Sequence, residues 1–308
     1  MNPLVYHIVS GQSFFTGAIL VVLGVGLSTR GASHPPEEAS DDTPAKKPRQ
    51  HAKRASILFA FLGLVLIALS STAISYWLYG VAGSASAVWL LAVSLNRLSQ
   101  ICGLSWVTMA TWLVAVLWEL PFQITPTLES TTSHEIAVIG DSVTAGVGKL
   151  PDSERWPGLL AAEHNLTIHD HSRAGETTGT ALTRIRAGEF PIASPVVFLE
   201  IGGNDVLGPT SLRQFEKDLD QLLAEVSSPD RQVMMLELPL PPFYNGFGLA
   251  QRRLARKHNV LLVPRRIFLS VLAAEESTLD TIHLSGEGQQ RMATCVWQLV
   301  RPAFSGPE

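Results

Sequence analysis

Apolar residues are distributed along this chain in two unlike ways. Up to Trp118 they form long runs almost free of charge, and beyond Ser133 they form runs of four to six separated by amphipathic stretches. The run from Leu4 to Leu27 carries no charged side chain apart from a protonatable His7. About 20 apolar residues at 1.5 Å each suffice to cross a bilayer, so this run predicts a span. A cleavable signal peptide would place basic residues ahead of its apolar core, whereas the first one here, Arg30, follows it. Residues 31–55, rich in Pro, Ser and charge, read as a solvated, disordered loop. From Ala55 to Trp118, 64 residues contain a single charge, Arg97. That is room for three more spans, expected near 57–78, 81–95 and 101–118. Gly80 and Gly83 mark the first turn and Asn96-Arg97 the second. The middle segment is short and weakly apolar, so an amphipathic or re-entrant segment competes there.

The basic residues set an expected orientation. Arg30, Lys46, Lys47, Arg49, Lys53 and Arg54 lie in the 30–55 loop and Arg97 in the second turn, while 1–29, 79–85 and 119–134 contain none. Four spans put all of them on the cytoplasmic side and leave the C-terminal half outside, exoplasmic or periplasmic. Three spans would leave that half cytoplasmic, beside a linker (about 119–133) with acidic but no basic residues.

From residue 134 onward the pattern changes. Buried strands are expected at Ile136–Ile139, Leu166–His169, Val196–Ile201, Val233–Leu238 and Val260–Val263. Amphipathic helices are expected near 155–164, 177–188, 211–226, 246–258, 265–275 and 286–300. Repeated strand–helix units of this size predict an α/β domain with a parallel sheet covered on both faces. Chemistry then belongs at the carboxyl ends of the strands. The domain organisation is a membrane region (1–118), a linker (119–133) and a soluble domain (134–308).

Composition excludes one class of function. Residues 1–133 hold 7 Lys/Arg and 6 Asp/Glu, and 134–308 hold 16 and 21. A mildly acidic soluble half is no nucleic-acid surface. Cys102 and Cys295 lie in a membrane run and a terminal helix, and are expected as buried free thiols.

Four strand ends carry candidate chemistry. The first strand leads into Gly140-Asp141-Ser142, placing a serine hydroxyl at the sheet's upper edge. No G-x-S-x-G elbow is present, so the common α/β-hydrolase form is not indicated. The second leads into Ser172-Arg173-Ala174-Gly175-Glu176, where Gly175 offers an unobstructed N–H. The third ends in Gly202-Gly203-Asn204-Asp205: glycines allow close backbone approach, and the Asn amide can donate to an oxyanion. A plain β-turn would use the same residues. Near the C-terminus, Asp280 precedes His283 by three residues, a spacing at which a carboxylate can fix the imidazole tautomer while the other ring nitrogen faces the serine.

Together these blocks resemble the GDSL, or SGNH, hydrolase family over about 135–302. They look most like its bacterial acyl-CoA thioesterase/lysophospholipase/arylesterase group. Trp156-Pro157, Leu199-Glu200-Ile201 and Gly286-Glu287-Gly288-Gln289 support the likeness. The resemblance implies a three-layer α/β/α (flavodoxin-like) sandwich with five parallel strands. It also implies Ser142 as nucleophile, His283 as base and Asp280 as its orienter, with the Ser142 and Gly175 N–H groups and the Asn204 side chain as oxyanion hole. Asp141, Asp205, Phe243 and Tyr244 are further candidates for substrate contact. Thr281 and Leu284 stand where the family commonly has Gly and Pro, which bears on loop shape. The implied activity is acyl-ester hydrolysis without metal or organic cofactor, at a lipid bilayer. An O-acetyl esterase of surface glycans and a non-catalytic acyl- or glycan-binding scaffold are the alternatives.

Two further features carry blander readings. His164, His169, Asp170 and His171 are expected as a polar strand end rather than a metal site. Arg252, Arg253, Arg256 and Lys257 are expected as a solvated helix face, with lipid headgroups as the sharper alternative.

Overall fold

A computed structural model of the chain describes residues 1–32, 46–95, 98–147, 150–280 and 282–304. It divides into two compact units, Gly11–Pro121 and, together, Met1–Ser10 and Phe122–Glu308. The run expected as one span is two helices, α1 (Pro3–Val9) and α2 (Gln12–Ala32). Between them Gly11 takes φ +83°, a left-handed conformation that glycine adopts without strain and that ends a helix. The helices α3 (Lys46–Leu69), α4 (Tyr76–Ser94) and α5 (Leu98–Glu119) follow. Among the described residues, four helices are long and apolar enough to cross a membrane, at Gln12–Thr29, Gln50–Leu69, Tyr76–Ser94 and Cys102–Gln123.

Three boundaries differ from expectation. The helix α3 begins at Lys46, inside the expected loop, whose residues 33–45 lie outside the described residues. It ends at Leu69, because Ser70 and Thr72 turn the chain. The Ser70 hydroxyl donates to the Ile67 carbonyl at 2.7 Å and lies 2.8 Å from the Thr72 hydroxyl, and Ser71 takes φ +44°. Gly80 and Gly83, expected at this turn, instead lie inside the 19-residue α4. The expected second turn, Asn96-Arg97, lies outside the described residues. Within this unit α2 and α3 approach closely. A Cβ on Gly17 would come 2.5 Å from the Gly63 carbonyl oxygen, and the Ser56 hydroxyl donates to the Gly24 carbonyl at 2.6 Å. Small residues at helix contacts and hydroxyl bonds between helices are how apolar helices associate in lipid.

The other unit is an α/β sandwich. After β1 (Glu135–Gly140) come α6 (Ser142–Ala145), α7 (Trp156–His164), β2 (Thr167–Asp170), α8 (Thr178–Arg186) and β3 (Val196–Glu200). Then follow α9 (Gly203–Leu207), α10 (Leu212–Val226), β4 (Gln232–Leu236), α11 (Asn245–Lys257), β5 (Leu261–Val263), α12 (Arg265–Ala273) and α13 (Gly286–Phe304). All five strands are parallel, in the order β2-β1-β3-β4-β5. Successive side chains of β1 serve opposite faces, as the two-residue period requires. Ile136 and Val138 pack with Trp156, Leu160, Phe268 and Met292, and Ala137 and Ile139 with Leu182, Phe215, Leu219 and Leu254. The sheet order reverses between β1 and β3, whose register pairs Gly140 with Glu200. The loops after these two strands therefore leave side by side, at the switch point where ligands bind in such sheets.

The basic cluster on α11 is not uniformly solvated. Arg252 is buried, its Nε 2.6 Å from the Glu237 carboxylate and its guanidinium 3.9 Å from the Phe122 ring centre. Arg253 pairs with Glu216 and Lys257 with Asp220 at the exposed face. Cys102 and Cys295 are free, Cys102 exposed and Cys295 half-buried.

Candidate active site

Ser142 opens α6 immediately after β1. Asp141 caps this short helix, its carboxylate accepting the Val143 N–H at 2.9 Å. Gly140 is needed for the sharp turn, since a Cβ there would lie 2.7 Å from the Thr144 Cβ. The His283 Nε2 lies 3.1 Å from the Ser142 hydroxyl, and Nδ1 lies 2.7 Å from Asp280. The other oxygen of Asp280 accepts the backbone N–H groups of Ile282 and His283 at 2.8 and 2.9 Å. These three bonds, that from the His283 N–H foremost, hold the carboxyl well below the ordinary carboxylate range. It therefore stays ionised wherever a histidine base could work.

The loop carrying both residues is clasped at its base. Thr278 and Leu284 form an antiparallel bridge, and the Ser285 N–H donates to the Ser277 carbonyl at 2.9 Å. Gly288, in the first turn of α13, lets this carbonyl approach: a Cβ there would sit 2.9 Å from the Ser277 carbonyl carbon. Gln289 is buried and accepts the Trp156 N–H at 2.8 Å, tying α13 to α7. Thr281 lies outside the described residues.

Gly175 is the third residue of a turn closed by the Glu176 N–H donating to the Arg173 carbonyl at 3.0 Å. Its φ of +78° is what that turn position requires. No atom lies within 4 Å of the place a Cβ would take, so the space beside it is open. The turn is braced from behind, where Glu176 is buried against the Arg184 guanidinium. The Asn204 amide donates to the Glu176 carbonyl at 2.9 Å and reaches the Asp141 carboxylate at 3.3 Å. The second contact is the weaker, so one N–H can turn to a ligand while the first fixes the side chain. Gly203 admits this approach, since a Cβ there would lie 3.1 Å from Asp141.

The further candidates lie in different surroundings. Asp205 is buried and accepts both the N–H and the hydroxyl of Thr178, at 2.8 and 3.0 Å, clasping the start of α8. Phe243, at φ +72°, and Tyr244 are exposed. A cavity of about 300 Å³ opens beside Ser142 and Asn204, and its walls include Leu238, Pro239, Pro241, Phe268, Leu269 and Leu272. His169 and His171 stack in parallel and His171 stacks on Phe190, as a polar strand end packs.

Sequence reasoning missed Glu200, buried beneath the turn that carries Ser142 and accepting the Thr144 hydroxyl at 2.9 Å. Burial and the neighbouring Asp141 carboxylate push Glu200 far above the ordinary carboxylate range, and burial pushes Asp141 up to about 6. The signal was an acidic residue at the end of an otherwise apolar strand.

Fold and site together define an SGNH hydrolase. Residues 138–291 match the GDSL-like lipase/acylhydrolase family, and the chain belongs to it. Among its relatives, the Escherichia coli thioesterase 1/protease 1/lysophospholipase L1 is 26% identical over 194 residues, covering 60% of this chain and 93% of that protein. The Vibrio mimicus arylesterase is 27% identical over 179 residues, 55% of this chain and 89% of the other. The crystal structure of the psychrotrophic esterase EstA from Pseudoalteromonas sp. superposes with a TM-score of 0.50 at 21% identity, over 55% of this chain and 97% of that one. That last likeness is one of fold.

Proposed function

We propose that this chain is a membrane-anchored serine esterase that cleaves acyl esters or thioesters through Ser142. The observation that carries the reading is the relay Asp280–His283–Ser142, with contacts of 2.7 and 3.1 Å. His283 takes the serine proton as the hydroxyl oxygen attacks the carbonyl carbon. The tetrahedral oxyanion is met by the Ser142 and Gly175 N–H groups and the Asn204 amide, each donor worth about 10²–10³ in rate. His283 passes its proton to the departing alcohol or thiol, leaving an acyl-serine. Water, deprotonated by the same imidazole, then releases the acid and restores Ser142.

The relatives are a thioesterase/lysophospholipase and an arylesterase by name, which supports acyl esters of this range as substrates. The four long apolar helices support anchoring in a bilayer. The distribution of Lys and Arg favours four crossings with the catalytic unit outside the cytoplasm. The test is hydrolysis of acetyl to dodecanoyl esters by the purified full chain in detergent, beside S142A. The expected result is turnover abolished by the substitution. Turnover unaffected by S142A, or none with any ester, refutes the reading.

A further inference from the structure

The cavity beside Ser142 is walled on one side by a helix that lies far from the other walls in sequence. Met1, Val5 and Val9 line it together with Phe268, Leu269 and Leu272 of α12. Val5 and Val9, four residues apart, lie on one face of α1, and Met1 lines the cavity from just ahead of the Asn2 cap. Tyr6 and Val9 pack against the apolar core that contains Trp156 and Phe268, and a second, shallow groove separates Tyr6 from Ala273 and Ala274. A helix of seven residues has no stability of its own in water. Its order comes from this packing and from its start, where the Asn2 side chain accepts the Leu4 N–H at 2.8 Å.

Resting on the esterase reading, we infer that α1 and the residue leading into it are a specificity element: Val5 and Val9, with Met1, form the wall against which the acyl chain of the substrate lies. The occupant follows from the lining. The cavity begins at the nucleophile, and apart from Asp141, Ser142, Glu200 and Asn204 every lining side chain is apolar or absent. Val5 and Met1 remain 46% and 42% exposed at its mouth, apolar surface that an alkyl chain would cover. At about 30 Å³ for each heavy atom the size of a water, 300 Å³ is room for about ten atoms, the size of a medium-length acyl chain.

The test compares full-length wild type, V5W, V9F and L4W in detergent on acetyl and octanoyl esters of one phenol, and on acetate esters of short and long alcohols. Leu4 is 61% exposed and does not line the cavity, so L4W controls for a bulky change on the same helix. Each methylene held in an apolar pocket is worth about fourfold in kcat/KM. V5W and V9F are therefore expected to lower the octanoyl-to-acetyl ratio of kcat/KM at least about tenfold, with L4W at the wild-type ratio. The ratio of Ser142 labelling by octyl and ethyl fluorophosphonates should fall in parallel, which a merely unstable variant would not show. A wild-type ratio in V5W and V9F overturns the inference while leaving the esterase reading intact. So does a change confined to the alcohol series. Absence of ester hydrolysis in the wild type removes both.

Discussion

Replacing Gly288 with alanine tests whether the histidine loop is held by backbone contact at its base. The added methyl would lie 2.9 Å from the Ser277 carbonyl carbon and 3.1 Å from Leu284 Cδ2, closer still to the Ser277 oxygen. Ordinary contact begins at 3.4 Å, so the Ser277 segment must retreat by at least half an ångström at the carbon and by more at the oxygen. That oxygen accepts the Ser285 N–H, and Ser285 is two residues from His283. The displacement therefore reaches the 3.1 Å contact between His283 and Ser142. Misplacing a reacting group by about an ångström costs about 10²-fold in rate, and overpacking of this kind costs about 1–3 kcal/mol of stability. G288A is expected to lower kcat about 100-fold on an acetyl ester and to lower the unfolding temperature of the catalytic unit. Gly286, where no atom lies within 4 Å of the place a methyl would take, supplies the control: G286A should keep kcat within about twofold. A G288A enzyme with wild-type kcat would refute the reasoning, because the loop would then be placed by something other than the Ser277 contact.

Asp280→Asn should cut kcat by about 10²–10⁴, since the amide can no longer hold the imidazolium that forms, while thermal unfolding changes little at this exposed site. Asn204→Ala should cost about 10²–10³ in kcat/KM with every ester tried, whatever its chain length. Burial raises Asp141 from 3.8 to about 6, so the folded chain binds that proton more tightly than the unfolded one and loses stability as pH rises from about 4 through 6. D141N keeps an oxygen to cap α6, and its unfolding temperature relative to wild type should rise between about pH 4.5 and 7.5; parallel curves would contradict this. Arg252→Ala removes the charged partner of the buried Glu237 carboxylate and should destabilise the catalytic unit by about 3–5 kcal/mol, partly recovered in R252A/E237Q.

What could be read from the sequence was what local patterns encode. The five strands are apolar runs bounded by turn residues, and the relay Asp280–His283 is set by a spacing of three. Each strand lies within two residues of its expected limits. The breaks inside apolar runs were hidden, because hydropathy measures the length of a run and not its continuity. At Ser10-Gly11 and at Ser70-Thr72 the chain turns with residues that a membrane helix also tolerates. Glycine misled in the opposite sense at Gly80 and Gly83, which α4 absorbs. The burial of Arg252 was invisible because its partner Glu237 lies just past the end of β4, 15 residues away. The role of α1 was hidden for the same reason: its partners lie some 260 residues further on, a pairing that no local signal encodes.

Tyr6 and Val9 belong to the same apolar core as Met292 and Val300. Residues 1–10 and 122–304 are thus one folded body, and a folded body does not straddle a bilayer. Any path that enters a membrane after Ser10 and leaves it before Phe122 is then subject to a parity rule: it crosses an even number of times. If the apolar helices cross a membrane, reporters fused after Ser10 and before Phe122 are expected in one compartment, an expectation that makes no use of loop charge.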